Sequence, residues 1–209
     1  MGVILQGILG GFSGKVGPVV GAKWKDIDYM RGYVIPANPN TAGQQTVRAK
    51  FAYLVALARL IIPTVLQPYW DRFYTDMSGF NAWISKNYAL ASSTGELGAS
   101  AIMAKGTLET VPIISCVYTA GTGNCVVTYD TGTNGNGLAT DNVLLVMYNK
   151  TTDLLQFFEM GVTRADGSVT GDIAINLSPA NVFAYIFAYR GTGPSLEVSD
   201  STGSVSSAP

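Results

Sequence analysis

The sequence predicts an α+β fold: N-terminal glycine-rich strands plus two helices, then an immunoglobulin- or fibronectin-like β-sandwich. Three observations carry this expectation. The first 35 residues are extended in pattern and broken by glycines. Two stretches between residues 41 and 90 place apolar side chains three and four apart. From Leu108 onward, some seven short apolar runs alternate with Gly-, Asn- and Asp-rich turns in about 100 residues. The expected organisation is a basic strand-and-helix assembly domain over 1–105 and an acidic sandwich over 106–209.

Near the N-terminus, Val16, Val19, Val20, Trp24 and Ile27 lie among Gly14, Gly17 and Gly21, which suits one or two strands with tight turns or bulges. Pro36 and Pro39 end this segment, and Asn38-Pro39-Asn40-Thr41 is turn chemistry. The first helix is expected to begin at Thr41, whose hydroxyl can accept from the N3 amide while Gln44 reaches back to the cap. Behind it Val47, Phe51, Leu54, Val55 and Ala58 trace one apolar face, with Arg48 and Lys50 off it. Pro63 and Pro68 then bend or end the helix. A second helical stretch is expected over 71–90, with a break admitted at Ser78-Gly79, because Trp70, Phe73, Tyr74, Met77, Phe80, Trp83, Ile84 and Tyr88 fall mostly at helical spacing. Residues 91–106 are small and polar and read as a linker. The candidate strands beyond it are 111–118, 125–129, 143–148, 154–160, 169–177, 182–189 and 196–198. The Ser/Gly-rich end, 199–209, is expected to be a flexible tail that frays unless a partner orders it.

Composition narrows the chemistry. Of 209 residues, 47% are hydrophobic and only 13% charged, half the usual charge, and such a chain is not disordered. Histidine is absent, which removes the Ser-His-Asp triad, Cys-His nucleophiles, imidazole bases and most zinc or iron sites. Gly10-Gly11-Phe12-Ser13-Gly14-Lys15 fails as a phosphate-binding loop, because Leu9 stands where the first glycine belongs and Val16 replaces the Ser or Thr. Asp130, Asp141 and Asp153 lack the alternating oxygen ligands of a calcium loop. No enzyme activity, metal or cofactor is expected. Cys116 and Cys125 read as buried free thiols in adjacent strands, with pairing across a hairpin as the alternative. Residues 1–9 are apolar without a basic flank, and the run 51–66 is interrupted by Arg59 and Pro63, so neither a secretory signal nor a membrane span is expected.

The net charge of −1 conceals polarity. Residues 1–105 hold ten bases against five acids, and residues 106–209 hold three against nine. Opposite patches suit head-to-tail contact between copies, because they steer association and fix register. Nucleic acid is the disfavoured partner: Lys23, Lys25, Arg31, Arg48 and Lys50 could meet phosphates, but Trp24 fits a strand's inward face and the excess of charge is modest.

The string Gly11-Phe12-Ser13-Gly14-Lys15-Val16-Gly17-Pro18-Val19-Val20-Gly21, with Trp24-Lys25, Tyr29-Met30-Arg31, Asn38-Pro39-Asn40-Thr41, Gln44-Gln45 and Arg48, resembles the N-terminal signature of an uncharacterised domain family of Bacteroidota and phage-derived genes. Arg164-Ala165-Asp166-Gly167-Ser168 is similar to that family's later β-part. The resemblance implies a fold and a viral or prophage gene, or a bacterial gene of similar origin, without chemistry. Lys15, Trp24, Arg31, Asn38, Thr41, Gln44 and Arg48 are the candidate assembly and structural positions. The expectation is a non-enzymatic structural or accessory protein of a phage-like virion, made in the host cytoplasm. It would assemble as repeated copies through an N-terminal arm, residues 1–9, and through contacts between oppositely charged domains, with other virion proteins as further partners. The alternative is a monomeric binding module whose loops at 131–140 and 190–195 recognise a glycan or a surface protein.

Overall fold

The computed structural model describes residues 3–4, 12–71 and 76–209, in two compact units, Met1–Thr41 and Ala42–Pro209. In the first unit, β1 (Val3–Ile4), β2 (Phe12–Val16), β3 (Val19–Trp24) and β4 (Ile27–Gly32) form an antiparallel meander in that order. Gly17, at φ +58°, opens the two-residue turn into β3, a conformation that glycine adopts without a Cβ clash. Lys25 and Asp26 make the next turn with φ of 45° and 66°, both left-handed, as a type I′ hairpin requires. Gly21 leaves room for the strand beside it, since a Cβ there would lie 2.1 Å from the Phe12 carbonyl oxygen. The rest of the expected arm, apart from Val3–Ile4, lies outside the described residues.

The second unit has three layers. β5 (Ile113–Thr119), β6 (Asn124–Tyr129) and β9 (Ser168–Asp172) form one sheet. β7 (Asn142–Asn149), β8 (Leu154–Thr163), β10 (Val182–Arg190), β11 (Glu197–Val198) and β12 (Thr202–Val205) form the other, in the order β11-β10-β7-β8 with β12 also on β10. Counting from β5, the first, second and fifth strands face the fourth, third, sixth, seventh and eighth, the Greek-key logic of the sandwich the sequence predicts. Cys116, Tyr118, Cys125 and Val127 pack there against Leu145, Met147, Ala184 and Ile186. Both cysteines are buried free thiols, with Sγ atoms 3.6 Å apart.

The outer face of the larger sheet is covered by α1 (Ala42–Leu60), a π-helical turn at Ile62–Leu66, α2 (Gln67–Tyr69) and α3 (Gly79–Leu90). Leu57, Val65, Trp70 and Trp83 bury against Leu144, Val146, Tyr185 and Phe187, and each such large apolar side chain contributes about 1.5–3 kcal/mol. With both faces buried, β7 and β10 read as continuous apolar runs instead of alternating ones. Pro63 sits at the start of the π turn, and the chain bends there by 68°. Ser78 caps α3, its Oγ accepting from the Asn81 amide at 3.4 Å, so Ser78-Gly79 starts a helix where the sequence reading admits a break. Phe73 and Tyr74 lie outside the described residues. No single helix among the described residues is long and apolar enough to cross a membrane.

Several expectations need correction. Residues 91–106 are not a free linker: Leu97, Ala101, Met103 and Ala104 are buried in the helix-side core. Asn87 stitches this segment down, its amide bonding the Ile102 backbone at both N and O, and Trp70 Nε1 donates to the Met103 carbonyl at 2.7 Å. The helices therefore share a compact unit with the sandwich, and the division falls at 41/42, whereas the sequence reading divides at 105/106. Val47 and Phe51 are exposed, because α1 buries its apolar stripe only from Leu54 onward. The C-terminal tail is not frayed. β12 pairs with β10, and Ser207 exchanges backbone bonds with Cys116 and Tyr118 across to the smaller sheet.

Candidate interaction surface on the N-terminal sheet

Cross-strand partners share a face of a sheet, and neighbours along a strand alternate. Val20 pairs with Lys15 on one side and Arg31 on the other, Ala22 with Tyr29, and Trp24 with Ile27. Lys15, Trp24, Ile27, Tyr29 and Arg31 therefore stand on one face. Lys15 Nζ also lies 3.6 Å from the centre of the Tyr33 ring. On the other face Lys23 pairs with Asp28, and its amine lies 3.2 Å from Asp26 in the turn. These are the two acids of the first 41 residues. One face thus holds cations and aromatic rings, while the acids gather around Lys23.

This sheet has almost no core. Gly21 is the one buried residue among those described between 12 and 41. Trp24 is 63% exposed, Ile27 62% and Met30 70%. The expectation that Trp24 points inward is thereby corrected, since among the described residues of this unit no second layer covers the four strands. Trp24, Ile27 and Tyr29 line a shallow hollow of about 410 Å³. Tyr33, Val34 and Ile35 continue the exposed apolar run beyond β4. Sequence reading missed these partners of Trp24. The available signal was a segment of some 35 residues whose apolar side chains have too little chain beside them to be covered, since domains of this size rarely build a core alone.

Of the seven candidate positions, the sheet unites Lys15, Trp24 and Arg31. Asn38 and Thr41 lie in the exposed coil after β4, where Asn40 takes φ 49°, and α1 begins directly after Thr41 as expected. Gln44 and Arg48 stand on the first turns of α1 and, with Gly43 and Val47, line a groove of about 290 Å³.

A second polar cluster joins the loops at one end of the sandwich. The Glu109 carboxylate accepts the backbone amides of Asn134, Gly135 and Gly137 at 2.9, 3.0 and 3.3 Å. The amides of Asn134 and Gly135 chiefly hold its pKa below the usual carboxylate value. Arg164, fully buried, donates to the carbonyls of Glu109 and Thr110 at 2.7 and 3.2 Å and approaches the fully buried Asp141 at 3.9 Å. Arg190 reaches Asp141 at 3.3 Å and also bonds Glu197. The Arg164–Ser168 string is thereby explained. Arg164 anchors, Asp166 accepts from the Thr163 amide and hydroxyl at 2.7 and 2.8 Å, and Gly167 takes φ 71°. Asp130, Asp141 and Asp153 serve different neighbours, namely Gly132, two arginines and the Tyr53–Tyr148 hydroxyl pair. No group of three or more Cys, Asp or Glu among the described residues is placed to hold a metal ion.

No curated protein matches the sequence. A model of the family DUF6266, described as a family of unknown function, matches residues 11–199, a span that runs from just before β2 through β11. On that coverage of both units, the chain belongs to the DUF6266 family.

Proposed function

We propose that the chain is a non-enzymatic structural or accessory protein of a phage-like virion, assembling as repeated copies through its N-terminal unit. The carrying observation is β4. It is the outermost strand of its sheet, and every residue from Ile27 to Gly32 is exposed. An open strand edge offers backbone donors and acceptors to a neighbouring chain, and natural proteins usually blunt such edges when they are not used. The uneven charge of the chain supports head-to-tail contact, since four bases and two acids fall in residues 1–41 against nine and twelve in 42–209. The link to Bacteroidota and phage genes and the location in a particle are part of this proposal. Light scattering across a concentration series, with electron microscopy of the same samples, tests it. Regular oligomers, rings or fibres that are lost on Met30→Lys, which charges the exposed β4, support assembly through this edge, and a monomer at every concentration overturns self-assembly.

A second reading, a monomeric module that binds a glycan or a surface protein, is favoured by one contact. Arg190 joins the two loops in question, approaching the Asn136 carbonyl and Asp141. It predicts a monomer whose binding is lost on substitution in 131–140 or 190–195.

A further inference from the structure

We propose that the cationic, aromatic face of the N-terminal sheet binds single-stranded nucleic acid. Charge is sorted across this sheet. Lys15 and Arg31 share a face with Trp24, Ile27 and Tyr29, whereas Asp28 stands opposite Lys23 on the other face and Asp26 pairs with the Lys23 amine in the turn. A second copy presenting the same face would set Lys15 and Arg31 against like charges, which opposes contact. A phosphate polymer with accessible bases meets both features at once: cations neutralise the backbone, and exposed rings stack on bases. Trp24 and Tyr29 occupy diagonal positions on adjacent strands, roughly 7–8 Å apart between Cα atoms. The hollow of about 410 Å³ that they form with Ile27 can admit a base. Lys25, 5.2 Å from the centre of the Trp24 ring, adds a further cation at the rim. A duplex keeps its bases stacked inside and offers a flat face only phosphates, so single strands are preferred. With Trp24 on the outside, the main sequence reason for disfavouring nucleic acid falls. The inference does not depend on the oligomeric state.

The test uses the full chain and a labelled oligothymidylate of about 20 nucleotides, followed by fluorescence anisotropy between about 50 and 200 mM salt. Binding is expected to weaken with salt at a log–log slope of about −1.4 to −2, for two or three phosphate contacts. Trp24→Ala should weaken it roughly 5- to 100-fold, with Trp24→Tyr restoring most of the affinity. The double variant Lys15→Glu/Arg31→Glu should abolish it, and Lys23→Ala, on the opposite face, should leave it unchanged. Trp70 and Trp83 are fully buried, so intrinsic fluorescence quenched by the oligonucleotide reports Trp24 directly. Circular dichroism of each variant checks that the fold is kept. The inference is overturned by absence of binding at low salt, by binding indifferent to Trp24→Ala and to charge reversal, or by a duplex bound as tightly as a single strand. It is equally overturned if self-association shields Trp24 from iodide while no oligonucleotide binds, an outcome that gives the face to a second copy.

Discussion

Replacing Arg164 with methionine tests whether the polar cluster at the loop end holds the sandwich together. The guanidinium is fully buried and satisfies two carbonyls, at 2.7 and 3.2 Å, while standing 3.9 Å from the fully buried Asp141. Methionine fills similar volume but leaves both carbonyls without those donors and Asp141 with Arg190 as its cation. Removing one partner of a buried ion pair typically costs about 3–5 kcal/mol. Arg164 Nε, however, has no hydrogen-bond partner among the described residues, a cost of about 1 kcal/mol or more that the substitution removes. The expected net loss is about 2–4 kcal/mol, or a fall in Tm of about 4–16 °C for a chain of this size. Thermal and urea unfolding, followed by near-ultraviolet circular dichroism, measure it. The double variant Arg164→Met/Asp141→Leu removes the buried carboxylate that has lost one of its two cations and should lose less than the sum of the two single variants, by about 0.5–3 kcal/mol. A single-variant loss below about 1 kcal/mol, or strict additivity, would refute the reasoning.

Acid should loosen the loop at 131–140. The folded-state pKa of Glu109 is depressed, so its contribution is present above the ordinary carboxylate value near 4.3 and lost as pH falls through the lower folded value. Proteolysis of that loop should rise once the pH falls past the ordinary carboxylate range, and Glu109→Ala should show the same sensitivity at neutral pH. Lys25→Asn with Asp26→Gly replaces two strained left-handed residues and should stabilise the N-terminal hairpin by about 1 kcal/mol, read from hydrogen exchange of the β3 and β4 amides. Gly203→Val should detach the tail, because even a Cβ there would lie 2.2 Å from the Ala99 carbonyl oxygen. Loss of exchange protection in β12, with the rest of the sandwich intact, is the expected signature. The native thiols should resist an aromatic disulfide reagent and react only in denaturant, since both are buried in the sandwich core out of reach of the reagent. Fast labelling of either native thiol would contradict the packing.

Local chemistry made much of the fold legible. Asn38-Pro39-Asn40-Thr41 sets the start of α1, Pro63 its bend, and the spaced turns of the second half mark the strands of a sandwich. Tertiary context overrode the rest. The Ala-, Ser- and Gly-rich stretch 91–106 reads as a linker, because small residues signal either mobility or close packing. Here Asn87 and Trp70 bind its backbone and bury it. The unbroken apolar runs Val143–Tyr148 and Val182–Tyr189 were the available sign that the larger sheet is covered on both faces, and hence that the helices belong with it. The candidate surface was half legible. Lys15, Trp24 and Arg31 were marked from a sequence signature, but their common face depends on pairing with Val20 and Ile27, a register that spacing alone does not fix.

Backbone hydrogen exchange of the full protein shows whether the N-terminal unit recruits another chain along β4. Amides of Ile27–Gly32 should gain protection as protein concentration rises, and Met30→Lys, which places a charge on the exposed edge strand, should abolish the gain without altering exchange in β7 or β10. Exchange of those amides that stays fast and independent of concentration, in the wild-type chain as in the variant, would contradict assembly through this edge.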